Sequence, residues 1–99
     1  MSAEQRLQEL RLRYLASLSS KLDDLRSHWI EAQTGNATAL DEFRTKVHKL
    51  AGSAPAYGLT SLGATARTLD EALIGEFPPD ELARLFQRLD RQIQEELPL

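Results

Sequence analysis

The chain has 99 residues, enough for one domain with a single modest core, and its 41% apolar and 27% charged fractions are those of an ordinary soluble globular protein. It has no cysteine, which excludes disulfides, thiolate catalysis and cysteine-based zinc sites, and its formal net charge of −3 gives the chain as a whole no attraction for phosphate backbones. No apolar run approaches the ~20 residues that span a bilayer, and the first six residues lack the apolar stretch of a secretory signal.

A cytoplasmic setting is therefore expected, in keeping with the lack of cysteine. Aromatic residues are scarce and leucines abundant, which favours a helical bundle, and no alternating strand pattern of useful length occurs. From the N-terminus, Leu7, Leu10, Tyr14, Leu18, Leu22, Leu25 and Trp29 step by three or four residues. One helix over about 4–33 holds them all. The alternative is a break near 19–20, with Ser20 and Asp23 capping the second piece. The expectation favoured here is a short leading helix joined to a longer one.

Gly35-Asn36 ends this segment, because both residues tolerate left-handed backbone. Thr38 is the expected cap of the next helix, about 39–56, with Asp41 three residues on. Its apolar stripe is Leu40, Phe43, Val47, Leu50 and Ala54. Pro55 lacks an N–H and crowds the carbonyl of Ala51, so the helix should bend or end there. Gly58 marks the turn. A third helix, about 60–74, carries Leu62, Ala66, Leu69 and Leu73 on one face, and Gly75 closes it. Pro78-Pro79 leads into the last helix, about 79–96, where proline fits the first turn. Asp80 and Glu81 sit at the positive end of its dipole. Leu82, Leu85, Phe86, Leu89 and Ile93 form its stripe, and Pro98 stops it. The fold class expected is all-α: an antiparallel four-helix bundle over residues 1–99, with a short additional N-terminal helix or helix extension.

The segment that carries chemistry is Val47-His48-Lys49-Leu50-Ala51-Gly52-Ser53-Ala54. On a helical wheel Phe43, Val47, Leu50 and Ala54 cluster towards the core, and His48 lies about 120° from their centre. The imidazole should therefore stand at the flank, open to solvent, with Asp41, Arg44, Thr45, Gly52 and Pro55 on its side. Gly52 is costly inside a helix, about 1 kcal/mol relative to Ala. It lies one turn after His48, where a missing side chain opens space beside the ring. Ala51, Ser53, Ala54 and Ala56 extend the run of small residues. These features alone also suit an ordinary surface histidine and close helix packing.

His48-Lys49-Leu50-Ala51-Gly52-Ser53-Ala54, followed by Gly58 and Leu62, resembles the His-x-Leu-x-Gly-Ser-x signature of histidine phosphotransfer (HPt) domains, most strongly over residues 40–73. The resemblance implies a phosphoryl carrier without autokinase activity. In that family Nε2 of the histidine, here His48, attacks the phospho-aspartate of a receiver domain and passes the group to another receiver. An imidazole near its unperturbed pKa of about 6.5 is mostly neutral at pH 7 and needs no adjacent base. The resemblance further implies no intrinsic cofactor, Mg²⁺ on the receiver, and a monomeric partner of response regulators or hybrid sensor kinases. Many members carry Lys immediately before the motif glycine; here that position is Ala51, and Arg44 or Lys49 is the candidate cation for the phosphoryl oxygens. Ala51, Gly52 and Ser53 are the other residues expected near the partner and phosphate, with Ser53 able to bond back to its own helix. Ala54 stands where a second Ser is frequent. No Gly-rich phosphate loop is present, so autophosphorylation from ATP is not expected. Met1 and the full set of helices favour a free-standing protein.

Three rivals remain on sequence grounds. A helical adaptor would need an exposed apolar groove for a partner helix. A metal site would have to use His28 and His48, which lack recognisable ligand spacing, and His28 beside Trp29 reads as a boundary residue of the bundle. A helix-turn-helix DNA binder would need a basic recognition helix that the chain does not offer.

Overall fold

A computed structural model describes residues 2–97. It holds four helices: α1, Ala3–Gln33; α2, Ala37–Ser53; α3, Thr60–Ile74; and α4, Pro79–Glu96, with a 3₁₀ turn, Ala54–Tyr57, between α2 and α3. Among the described residues there is no strand. The helices form a ring in which α1 packs on α2 and α4, and α3 packs on α2 and α4. Short connections make neighbours antiparallel. Among the described residues no helix is long and apolar enough to cross a membrane.

α1 is one unbroken helix, which corrects the favoured break near Ser19-Ser20. Leu18, Leu22 and Leu25 are each at most 2% exposed, on a single stripe. A break at Ser20 would rotate part of that stripe out of the core, and this outweighs the few tenths of a kcal/mol by which serine disfavours helix. The capping box forms instead at the chain start. The Gln5 N–H donates to Ser2 Oγ at 3.1 Å, and the Ser2 N–H donates to Gln5 Oε1 at 2.9 Å. At 31 residues α1 is about 46 Å long, far longer than its neighbours. Its first turns overhang the bundle, so Leu7 is exposed although it continues the stripe, and Leu10 is half-buried.

Asn36, not Thr38, caps α2: its Oδ1 accepts from the Ala39 N–H at 3.1 Å. An Asn at an extended residue directly after the left-handed Gly35 (φ +90°) reaches the free N–H groups two residues earlier than Thr38 could. Leu40 also departs from its expected place, being 39% exposed, while Ala39 and Ala51 take core positions. Phe43 and Val47 are fully buried. The Phe43 ring meets Phe86 edge-on at 5.1 Å, and Trp29 tilts against both. Leu62, Ala66, Leu69 and Leu73 of α3, and Phe86, Leu89 and Ile93 of α4, are buried as their spacing predicts, with Leu82 and Leu85 half-buried at the edge. Pro98, the expected stop of α4, lies outside the described residues.

Pro55 ends α2 and starts the 3₁₀ turn, as its missing N–H requires. Gly58 then reverses the chain in the left-handed region, φ +83°. Gly63 lets α3 come close to this corner. A Cβ there would lie 2.6 Å from Pro55 Cγ. This close contact helps set the spacing between α2 and α3, the two helices that build the site.

Candidate functional site

His48 stands on the α2 flank that faces α3. Its side chain is 76% exposed. Its Nδ1 lies 2.8 Å from Oδ2 of Asp70 on α3. A carboxylate can only accept, so Nδ1 carries the proton and donates. The second ring nitrogen, Nε2, is then left pointing away from the bond, with its lone pair available. Asp70 is itself only 15% exposed at the side chain, held between the buried Leu69 and Leu73 turns of α3. The carboxylate is thus fixed by packing and the imidazole is fixed by the carboxylate.

A shallow cleft surrounds the ring, lined by Asp41, Arg44, Thr45, His48, Asp70 and Ile74. Arg44 is one turn before His48 on the same face. Among the described residues it has no carboxylate within ion-pair distance, so its guanidinium is available to an incoming anion. Lys49 is not in this cleft. It borders the α1 side of α2, beside Lys21, Asp24 and Lys46. Of the two candidate cations, the structure groups Arg44 with His48 and separates Lys49 from it.

The small residues divide into different roles. Gly52 is exposed, and a Cβ built on it meets nothing within 4 Å. No packing inside the chain asks for glycine here; the free space faces solvent beside His48. Ala51 is 6% exposed and belongs to the core, so it does not face the cleft with His48. Ser53 does not bond back to its own helix. Its Oγ shares a 2.7 Å hydrogen bond with the Tyr14 hydroxyl on α1. The Tyr14 ring stacks on Tyr57 at 4.3 Å, and Arg11 Nε donates to the Tyr57 carbonyl at 2.9 Å. These bonds fasten the end of α2 and the 3₁₀ turn to α1, which steadies the helix end below His48. Burial pushes the Tyr14 phenol above its ordinary value, and the bond with Ser53 opposes that shift. The same burial lowers Lys21, whose Nζ sits 4.1 Å over the Tyr14 ring.

Asp70 was not legible as a site residue. In the chain it is one acid between Leu69 and Glu71, 22 positions after His48. The available signal was its place next to the buried stripe of α3, on the edge nearest α2. His28 is half-buried between α1 and α2, with Nε2 at 2.7 Å from Lys46 Nζ and 3.3 Å from Glu42 Oε2. It serves the α1–α2 seam while His48 serves α2–α3, so the two histidines do not form a common site. Among the described residues no group of three or more His, Cys, Asp or Glu is placed to hold a metal.

Neither the curated proteins nor the solved structures provide a match to this chain. A family model does: that of the Hpt domain matches residues 9–97, nearly the whole length and all four helices. With an exposed histidine on α2 of a four-helix bundle and a glycine one turn on, the chain belongs to the Hpt domain family, whose members are phosphocarriers that act with receiver domains in two-component signalling.

Proposed function

We propose that the chain relays a phosphoryl group between receiver-domain aspartates through Nε2 of His48. The observation that carries this reading is the ring itself: 76% exposed, with Nδ1 engaged by Asp70 and Nε2 left free of that bond. That is the arrangement of a nucleophile awaiting a large partner rather than a buried or bridging histidine. Phosphoryl transfer through a loose transition state demands in-line positioning and neutralisation of charge. The chain provides the nucleophile, clearance at Gly52 and a cation at Arg44; the receiver would supply the Mg²⁺ and the acyl phosphate. Lys49, on the other flank of α2, suits an acidic rim of the partner better than the transferred group. The reading carries with it a monomeric carrier in the cytoplasm that has no kinase activity of its own.

The test is phosphoryl transfer from a labelled, phosphorylated receiver with Mg²⁺ to wild type and to His48→Gln. Acid-labile, alkali-stable label on wild type alone is the expected result. Label on His48→Gln would place the phosphoryl group elsewhere, and no label on wild type across a broad panel of receivers would favour a non-catalytic adaptor.

A further inference from the structure

We propose that the groove between α1 and α2, on the flank of α2 turned away from His48, binds a small organic carboxylate whose apolar body is about the size of one aromatic ring. The site is separate from the phosphotransfer cleft and does not depend on the carrier role of His48. Helical spacing builds it. Lys21, Asp24 and Leu25 share one face of α1, and Lys46, Lys49 and Leu50 share one face of α2. The two faces border a cavity of about 200 Å³. Leu25 and Leu50, 1% and 3% exposed, belong to the core and make its inner wall apolar.

Three ammonium groups border the cavity against one carboxylate, and they are not equivalent. Lys46 is already engaged: its Nζ donates to His28 Nε2 at 2.7 Å and lies 3.7 Å from Asp24 Oδ2. Lys21 and Lys49 have no carboxylate within ion-pair distance among the described residues. Lys49 is exposed, so water can solvate it, whereas Lys21 is half-buried. The Lys21 Nζ donates to Ser17 Oγ at 2.6 Å and sits 4.1 Å over the Tyr14 ring. The Ser17 hydroxyl gives its own proton to the Tyr14 carbonyl at 2.6 Å, which leaves its oxygen to accept. Hydroxyl and ring hold the ammonium without neutralising it, and burial unopposed by a carboxylate lowers its pKa. A half-buried cation without a counter-charge, beside an apolar wall, is what a carboxylate with an apolar body completes. Size narrows the class further. An apolar cavity of about 150 Å³ holds one benzene, so about 200 Å³ takes a ring and its carboxylate. Acetate, or the short acidic side chain of a partner protein, would meet Lys21 but leave the wall of Leu25 and Leu50 uncovered. A neutral ring would cover the wall and leave Lys21 uncompensated.

The experiment titrates the whole chain with sodium benzoate and follows backbone amide shifts by NMR. Saturable shifts centred on Leu25 and Leu50 are expected, with a Kd on the order of 1 mM for a ligand of about nine non-hydrogen atoms. Benzyl alcohol, which lacks the charge, and acetate, which lacks the ring, should each bind about tenfold more weakly. Lys21→Gln keeps most of the stem and removes the charge; it should weaken benzoate about tenfold, the scale of one hydrogen bond to a charged group. Lys49→Gln should weaken it less, because that ammonium is exposed. Arg84→Gln removes one positive charge from the exposed face of α4 and should leave benzoate binding unchanged. Benzoate shifts that do not saturate, or that centre elsewhere, would overturn the proposal. So would benzyl alcohol binding as tightly as benzoate, which would show an apolar fit alone. Acetate binding as tightly would show a cationic patch suited to a partner's acidic side chains instead. Equal losses in Lys21→Gln and Arg84→Gln would reduce the effect to overall charge and overturn the site as well.

Discussion

Gly52 gives the sharpest separation between what the fold needs and what a partner needs. A Cβ at Gly52 meets nothing within 4 Å, and its backbone is helical, so Gly52→Ala adds helix propensity without a clash. The gain for an interior position is about 1 kcal/mol. Near the end of α2 it should be about 0.5–1 kcal/mol, which for a domain of this size raises the melting midpoint by roughly 2–8 °C. The same change at Gly63 should have the opposite sign. There the new Cβ would fall 2.6 and 2.7 Å from two Pro55 ring carbons, with the Pro55 backbone nitrogen at 3.4 Å. Overpacking of this kind costs about 1–3 kcal/mol. Thermal and urea denaturation of the two variants measures both. Gly52→Leu then tests the clearance beside His48: it should fold as stably as wild type, yet slow phosphoryl transfer from a receiver by about 10²-fold, the effect of displacing reacting groups by about 1 Å. A Gly52→Ala protein less stable than wild type would refute the open-space reading. A stable Gly52→Leu protein that transfers at the wild-type rate would refute the role of clearance.

Phe43→Ala should cost a large share of the stability, since the ring is fully buried against Phe86 and Trp29; a loss of about 3–5 kcal/mol by urea denaturation is expected from a total of about 5–15 kcal/mol, and a loss below about 1 kcal/mol would contradict that burial. Arg26 grips Asp90 with two hydrogen bonds of 2.8 Å between α1 and α4, and this bonding holds the Asp90 carboxyl below its ordinary value, against the opposing effect of burial. A lowered folded-state value means a stabilisation present above pH about 3.8 and lost as pH falls through the lower folded value. Because Arg26 is 44% exposed, the pair contributes less than about 1 kcal/mol, so the stability difference between wild type and Asp90→Asn should be modest at pH 7 and shrink below pH 4; a difference constant down to pH 2 would show the pair to be inert.

The helices α3 and α4 were legible almost residue by residue, because proline and glycine punctuate them and an apolar stripe at helical spacing has only one way to face a core. The motif histidine was legible for the same reason: its angle from the Phe43–Val47–Leu50 stripe sends it to the surface in any bundle. Where several polar residues competed for one local role, the chain alone did not decide. Asn36 and Thr38 both satisfy the rules for a cap, and only the extended backbone after Gly35 selects Asn36. Ser20 with Asp23 imitates a helix start, and only the continuous burial of Leu18, Leu22 and Leu25 shows that no start occurs there.

The sequence by itself determined the helical class, the positions of three loops and the exposure of His48, since each follows from local periodicity or from the covalent limits of proline and glycine. Tertiary structure alone decided which groups meet across helices. Asp70 reaches His48, and Tyr14 reaches Ser53 across 39 residues of chain, because α3 and α1 pack on opposite flanks of α2. Arg44 shares the cleft of His48 while Lys49, its neighbour in the chain, faces the other flank. The physical reason is that a helix turns about 100° per residue. Adjacent residues therefore serve different faces, and what each face meets depends on the placement of helices far away in sequence.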